Sequence, residues 1–222
     1  VDGLPERSRK PSLDQLQRGL VVIDKLETRE GSTAIDVPKG MIHHWSGVVF
    51  VPGATVDRAV ALMQDYNRHA ELFRPAVVAS KLLERNGDEF RIHLRFFMKK
   101  IIAVTMNTEH EARFVRPAAD RAYSQITSTR IAEVEHAGTT REAEKPVGRD
   151  SGFMWRFNTY WRFLERDGGT YVQCESITLS RDIPFALGWI IGPFVTSIPR
   201  ESLTFTLERV RKALSQQRST VP

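Results

Sequence analysis

The sequence predicts an α+β fold in which a curved antiparallel β-sheet wraps around a long C-terminal helix and encloses an apolar cavity. Three observations support this fold class. Strand-like runs follow one another through most of the chain and are joined by turns, as in successive hairpins. A helical pattern precedes most of these runs, near residues 55–66. An amphipathic helical pattern follows the last of them, over residues 201–214.

The segment before residue 55 predicts a short helix and two strands. Residues 1–10 are polar, basic and without periodicity, which is typical of a loose arm. A short helix is expected over Leu13–Arg18. The β-branched run Leu20–Leu26 predicts a first strand. The run Met41–Val51 predicts a second, which the pair Pro52-Gly53 stops.

The sequence then predicts two helices. Thr55 is a candidate N-cap because its hydroxyl can accept a hydrogen bond from the first turn. Asp57 suits the positive end of the helix dipole. Helical spacing is kept by an apolar set: Val56, Ala59, Val60, Met63 and Tyr66. A second, shorter helix is expected over His69–Phe73 and is ended by Pro75.

The clearest hairpin joins the runs Val77–Arg85 and Glu89–Met98 through the turn Asn86-Gly87-Asp88. Asn-Gly is the strongest short-range hairpin signal because both residues adopt a positive φ readily. In the second run apolar and charged residues alternate, so one face is expected inside and the other in water. The apolar set is Phe90, Ile92, Leu94, Phe96 and Met98.

Further strands are predicted at Ile101–Val115, Arg121–Val134, Phe153–Arg166 and Thr170–Leu179. The charged, turn-rich segment 136–152 is expected to be a long surface loop within the domain. Long, strongly twisted sheets curl. Because a single helix cannot fill the concave side of a curled sheet, side chains or a ligand must occupy the remaining space.

The final helix is predicted over Glu201–Leu214, with an apolar stripe formed by Leu203, Leu207, Val210 and Leu214. The segment Ile183–Ile198 before it is apolar and interrupted by glycine and proline, a pattern typical of a chain that bends or opens. A gate over the cavity is the preferred interpretation. Ordinary core and contact with a membrane interface are the alternatives.

Composition indicates a globular protein. Of 222 residues, 41% are hydrophobic and 27% charged, so wholesale disorder is excluded. We expect one domain over 20–215, a flexible N-terminal arm with a short helix over 1–19, and a disordered tail over 216–222. The formal net charge of +5 is dispersed rather than gathered in a dense stripe, and we therefore expect no nucleic-acid partner.

Cysteine content and hydropathy limit the kinds of site and of membrane association that we expect. Cys174 is the single cysteine, which excludes an intrachain disulfide and a multi-cysteine metal site. The sequence shows no secretory signal and no apolar run long enough to span a bilayer. A soluble protein is expected, either cytoplasmic or exported after removal of a signal peptide.

The histidines are the most tempting candidates for catalysis or metal binding. His43 and His44 are adjacent on a predicted strand, so their rings are expected on opposite faces, one lining a pocket and the other facing water. His93 lies on the charged face of its strand, and His110 lies between glutamates. No third ligand follows at a credible spacing, and no metal site or cofactor is expected. Cys174 is interpreted as a small apolar residue.

Two strands carry candidate ligand contacts. The first has aromatic residues on one face: Phe153, Trp155, Phe157, Trp161 and Phe163. These predict core packing, with part of the face against a ligand. On the second strand, Glu175 shares one face with Gln173 and Ile177, and Cys174 lies on the other face. If the face of Glu175 is inward, its carboxylate needs a partner such as an arginine or orients a ligand.

The order of these elements resembles the START-like (SRPBCC) lipid-binding superfamily, within it the polyketide cyclase and coenzyme-Q-binding branches. The resemblance rests on Asp65-Tyr66-Asn67, Phe73-Arg74-Pro75 and Val78-Ala79-Ser80-Lys81-Leu82-Leu83, and it extends over residues 45–214. It implies a helix-grip fold, with the final helix across the mouth of a curved sheet. An additional strand before Trp45 would be a departure from that pattern.

The leading hypothesis is that the protein binds a hydrophobic small molecule, such as a lipid, an isoprenoid quinone or a polyketide, for transport or sequestration. Apolar burial would supply most of the affinity, and one or two polar groups would set the orientation. The expected ligand-binding residues are Phe90, Ile92, Leu94, Phe96, Trp155, Phe157, Glu175, Trp189, Ile190 and Phe194.

Two other classes of function stay open. A polyketide cyclase or aromatase would use a pocket His, Glu or Arg for proton transfer, and it predicts a turnover that depends on His44 or Glu175. A module that binds a macromolecular partner through its basic face predicts an empty, collapsed pocket. Peripheral membrane contact is a further candidate interaction.

Overall fold

The computed structural model describes residues 6–99, 103–146, 148–182 and 188–216, with the side chains of 12–99, 103–146, 148–182 and 197–216. Over this part of the chain no helix is long and apolar enough to cross a membrane.

The N-terminal part adds elements to one edge of the main sheet. Helix α1 spans Glu6–Gln17 and is followed by strand β1 at Val22–Lys25. A small separate hairpin consists of β2 at Arg29–Glu30 and β3 at Thr33–Ala34, and the long strand β4 follows at Gly40–Pro52. β1 pairs with β4, so an edge strand does precede residue 45.

The first helix is longer than predicted, because it begins within the segment expected to be a loose arm. Glu, Arg and Lys are good helix formers even where no apolar periodicity marks them. Of the α1 side chains that the structure describes, those of residues 12–17, Leu16 is the fully buried one.

Two short helices follow β4, as predicted, although Tyr66 lies in a 3₁₀ turn after the first helix and not within it. Helix α2 spans Val56–Gln64, a 3₁₀ turn follows at Tyr66–Arg68, and helix α3 spans His69–Leu72. Thr55 is the N-cap of α2, and its Oγ1 accepts a hydrogen bond of 3.3 Å from the backbone N–H of Arg58.

The remaining strands pair antiparallel with one another, and the last of them pairs with β4. They are β5 at Val77–Asn86, β6 at Glu89–Lys99, β7 at Ala103–Ala118, β8 at Arg121–Glu135, β9 at Ala143–Glu144, β10 at Arg156–Arg166 and β11 at Gly169–Arg181. The nine-stranded sheet has the order β1-β4-β11-β10-β8-β7-β6-β5, with β9 paired to β8. The predicted antiparallel sheet is therefore confirmed, and the Asn86-Gly87 turn lies between β5 and β6.

Helix α4 spans Gly188–Gln216 and packs its predicted apolar stripe against the sheet. The stripe residues Leu203, Leu207, Val210 and Leu214 are all buried. A Cβ added to Gly47 of β4 would lie 2.6 Å from Cδ1 of Leu207 and 2.5 Å from Cδ1 of Ile23. The absence of a side chain at Gly47 therefore allows the helix to approach β4 closely.

The prediction that glycine and proline interrupt the segment Ile183–Ile198 is wrong for its described backbone, residues 188–198, since α4 is continuous there. A glycine costs a helix only about 1 kcal/mol relative to alanine, and proline about 3 kcal/mol. Residues 183–187 lie outside the described part of the chain.

Candidate ligand-binding cavity

A cavity of about 490 Å³ lies between the concave face of the sheet and α4. The sheet contributes apolar side chains from β6, β8 and β10, and the other walls are formed by α2, α3, α4 and the loop before β10. This volume is within the ordinary range for small-molecule sites, which are concave and mostly apolar.

Four of the expected ligand-binding residues line this cavity. Ile92, Leu94 and Phe96 lie on the inward face of β6, and Phe157 lies near the start of β10. The rings of Phe96 and Phe157 meet edge to face, with centroids 5.7 Å apart. The alternation of β6 therefore predicted the correct inward face.

Phe90 has the same inward orientation, but it belongs to the closed core and not to the cavity wall. Its ring centroid lies 5.4 Å from that of Tyr66 and 5.6 Å from that of Phe114. Strand β6 is longer than the cavity, so the inward residues near its first end pack against protein instead of open space. Period-2 alternation identifies a face but not the length of the cavity along it.

Trp155 is also outside the cavity wall, because β10 begins only at Arg156. Its indole Nε1 donates a hydrogen bond of 3.0 Å to Oδ1 of Asp150, and the guanidinium of Arg181 lies 5.9 Å from its ring centroid. The adjacent Phe153 and Met154 line the cavity in its place. Alternation could not be extended from β10 into a loop with a different backbone geometry.

Glu175 lies on the outer face of β11. Its carboxylate accepts hydrogen bonds from Nε2 of His44 and from Arg162, both at 3.1 Å. Burial raises the pKa of Glu175, but the hydrogen bonds from Arg162 and His44 outweigh this effect and hold the pKa below its usual value. An arginine partner was expected only for an inward Glu175, whereas Arg162 pairs with it on the side of the sheet opposite the cavity.

The inward face of β11 instead carries small and polar side chains. Cys174, Ser176, Thr178 and Ser180 all line the cavity. Burial, and then the charge of Glu175, raise the pKa of the Cys174 thiol, which suits a small apolar residue and not a nucleophile. The hydroxyl groups give the otherwise apolar cavity a polar strip.

His43 and His44 lie on opposite faces, as predicted. His43 lines the cavity, and its Nε2 lies 3.0 Å from Oγ of Ser180. Burial and the nearby charge of Lys25 lower the pKa of His43. His44 lies outside the cavity, so the two residues on which the cyclase hypothesis placed its turnover, His44 and Glu175, are both on the wrong face for that role.

Two polar residues of the cavity wall, His110 and Tyr66, were not among the ligand-binding residues expected from the sequence. His110 is 1% exposed and lines the cavity from β7, and Tyr66 is 1% exposed and lines it from the 3₁₀ turn. A signal for His110 was present in the alternation of β7, where Thr108, His110 and Ala112 are buried while Glu111 is exposed. The glutamates on either side of His110 concealed that pattern.

Three of the expected ligand contacts, and the question of a metal site, concern the limits of the described residues. The side chains of Trp189, Ile190 and Phe194 lie outside the described residues. Within the described ranges, no group of three or more His, Cys, Asp or Glu side chains could hold a metal ion.

The geometry has clear counterparts among solved structures. A STAR-related lipid transfer protein from Xanthomonas axonopodis shares 18% identity over 82% of this chain and 96% of its own, with a TM-score of 0.52. The Zhui aromatase/cyclase from a Streptomyces species shares 13% over 81% and 98%, with a TM-score of 0.51. This chain has the START-like helix-grip fold.

A START superfamily protein from Mycobacterium smegmatis has the same fold, with 13% identity over 79% of this chain and 99% of its own and a TM-score of 0.51. No protein-family model matches the sequence, and no curated protein matches it. The resemblance to known START-like proteins is therefore one of three-dimensional structure. It shows the fold, and within that fold the site must be judged by its own side chains.

Proposed function

We propose that this START-like protein binds a hydrophobic small molecule, such as a lipid, an isoprenoid quinone or a polyketide, and carries or sequesters it. The observation that supports this most directly is the cavity of about 490 Å³ with its largely apolar wall. Each square ångström of apolar ligand surface removed from water would contribute about 25 cal/mol. The lipid transfer protein among the similar structures supports the same function.

The ligand is proposed to contact Ile92, Leu94, Phe96 and Phe157 in the sheet. For Trp189, Ile190 and Phe194, contact with the ligand stays a prediction. Phe90, Trp155 and Glu175 are no longer proposed as ligand contacts, because other contacts occupy them outside the cavity.

The first test is native mass spectrometry with organic extraction on protein purified from its own host. We expect an apolar molecule to co-purify at close to one equivalent. If no molecule co-purifies, and added lipids or the neutral apolar dye N-phenyl-1-naphthylamine also fail to bind, the proposal is wrong.

A pair of variants in β11 tests whether the cavity is the binding site. Thr178→Phe places a ring in the cavity, whereas Ile177→Phe alters the outer face of the same strand. We expect Thr178→Phe to weaken the affinity for the ligand at least tenfold, roughly the effect of 1.4 kcal/mol. Ile177→Phe is expected to bind like the wild type. Circular dichroism checks that both variants fold, and equal binding by both would contradict the assignment of the site.

A cyclase or aromatase activity is the second candidate function, and the histidines in the cavity favour it. His43 and His110 both line the wall, and burial lowers the pKa of each, so both are neutral bases near neutral pH. In the enzyme hypothesis, the proposed residues for proton transfer are therefore His43 and His110 instead of His44. Recovery of a poly-β-ketone substrate in cyclised form would support it, and recovery of an unchanged ligand would support the carrier.

The macromolecular partner-binding hypothesis predicted a collapsed pocket, and an open cavity is present instead.

Contact with a membrane surface is proposed for ligand exchange, supported by the apolar composition of residues 183–194. Flotation with vesicles that contain anionic lipid tests it. Absence of the protein from the vesicle fraction would contradict membrane contact but not ligand binding.

A further inference from the structure

Two hydrogen bonds determine which nitrogen of His110 carries its proton. Oγ1 of Thr108 lies 3.0 Å from the backbone carbonyl oxygen of Leu94, and a carbonyl can only accept, so the threonine hydroxyl donates. Nε2 of His110 lies 2.8 Å from the same Oγ1. Because the hydroxyl has a single proton, already donated to Leu94, Nε2 must be the donor. The neutral His110 ring is therefore protonated at Nε2.

The other nitrogen of this ring, Nδ1, is left as a hydrogen-bond acceptor with a free lone pair. Nδ1 is buried and has no hydrogen-bond partner among the described residues. The nearest aromatic neighbours meet the ring at their edges, with centroid distances of 6.5 Å to Phe96 and 6.0 Å to Phe157. Buried polar atoms are nearly always paired in native proteins, so an unpaired acceptor in a cavity wall indicates a missing partner.

The acceptor persists across the physiological pH range. Burial, and then the charge of His93, lower the pKa of His110 to about 4. The ring thus stays neutral near pH 7, and Nδ1 does not become a donor. Tyr66 also has a buried hydroxyl without a partner in the described part of the chain, but a phenol both donates and accepts and so does not select between ligand groups.

We propose that Nδ1 of His110 accepts a hydrogen bond from a hydroxyl group on an otherwise apolar ligand, so that the cavity selects alcohols over ethers and ketones of the same shape. This inference rests on the proposed binding function and adds the chemical class of the ligand. Sterols, prenyl alcohols, mono- and diacylglycerols and hydroquinones all carry the required donor. An ether or ketone oxygen offers only lone pairs and would leave Nδ1 unpaired.

The test compares 1-hexadecanol with 1-methoxyhexadecane as competitors of N-phenyl-1-naphthylamine on the full chain. We expect the alcohol to bind about tenfold more tightly, since it forms one hydrogen bond and also relieves a buried unpaired acceptor. His110→Phe is expected to bind the dye but to lose the preference. His93→Gln, on the outer face of β6, is expected to keep it.

The outcomes separate this inference from the proposed function. Equal binding of the alcohol and the ether by the wild type would overturn the inference, with water as the partner of Nδ1, and leave the binding function intact. Failure of the dye and both competitors to bind would overturn both.

A spectroscopic measurement on the wild type does not depend on a variant that folds. Nitrogen NMR of the His110 ring should show the Nε2–H tautomer, and its Nδ1 resonance should shift when hexadecanol binds but not when the ether binds. A proton found on Nδ1 in the free protein would overturn the inference.

Discussion

Several residues of the cavity wall bury a hydrogen-bonding group in apolar surroundings, which is costly unless that group has a partner. His43 forms a hydrogen bond with Ser180, and the hydroxyl of Thr108 donates one to the backbone carbonyl of Leu94. The hydroxyl of Tyr66 and Nδ1 of His110 have no partner among the described residues. A buried group without a partner costs about 1–3 kcal/mol, so both atoms mark places where an occupant of the cavity would add stability.

Tyr66→Phe tests this reasoning at the level of one atom. The phenylalanine ring keeps the packing against Phe90 and removes only the unpaired hydroxyl. We therefore expect the free energy of unfolding of the ligand-free protein to rise, or to fall by no more than about 0.5 kcal/mol. Urea unfolding measures it.

Thr108→Val provides the matched control, because it removes a buried hydroxyl that has two partners. We expect that variant to lose about 1–3 kcal/mol. A loss for Tyr66→Phe as large as that for Thr108→Val would show that the Tyr66 hydroxyl is paired in the ligand-free protein.

At the scale of elements, the loop between β9 and β10 is held against the cavity by one carboxylate. Glu133 on β8 is 4% exposed and accepts hydrogen bonds from Nζ of Lys145 at 2.9 Å and from the backbone N–H groups of Ser151 at 2.9 Å and Phe153 at 3.2 Å. Burial raises the pKa of Glu133, but these hydrogen bonds, with Ser151 first, lower it overall. Since residues 151–154 line the cavity, Glu133 positions part of its wall.

Glu133→Gln is expected to loosen this loop. The amide keeps a similar shape but loses the charge that strengthens the bonds from Lys145 and the two backbone donors, each worth about 1.5–3 kcal/mol when charged. Amide hydrogen exchange at Ser151 and Phe153 should become at least tenfold faster, with faster ligand release. Glu135→Gln, an exposed position on the same strand, should leave both rates unchanged. Unchanged exchange in Glu133→Gln would contradict this role.

At the scale of the whole molecule, two neutral histidines link global stability to pH. Burial lowers the pKa of His69 to about 4, against a smaller opposing effect of its hydrogen bonds to Met63 and Leu62. The pKa of His110 is also about 4. An unfolded chain binds these protons near pH 6.5, whereas the folded protein does not bind them until about pH 4. Their contribution to stability is therefore complete above about pH 6.5 and is lost as the pH falls toward 4.

We expect the free energy of unfolding to decrease between pH 7 and pH 5, with each histidine able to remove up to about 3 kcal/mol by pH 4. His69→Gln, which keeps a donor for the Met63 carbonyl, should have a shallower pH dependence. His136→Gln, at an exposed position, should resemble the wild type. Urea unfolding at several pH values measures this, and a stability independent of pH in this range would show that the histidines titrate normally.

The elements were predictable from the sequence because their signals are local. Alternation over β6 identified its inward face, and Asn86-Gly87 identified its hairpin. The Thr55 cap and the stripe of α4 likewise depend on residues only a few positions apart. The ends of elements were less predictable, as at Trp155, since backbone geometry there depends on contacts with Asp150 and Arg181.

The sequence by itself determined that β11 has two chemically different faces, one with Glu175 and one with Cys174, since alternation follows from strand geometry alone. Only the tertiary structure decided that the face of Glu175 is outward, because a strand with polar residues on both faces carries no local signal for which face is covered. The pairing of β11 with β4 and β10 brings His44 and Arg162 to Glu175. The same long-range packing buried His110 in the cavity wall and left its Nδ1 without a hydrogen-bond partner among the described residues, which no local pattern could have indicated.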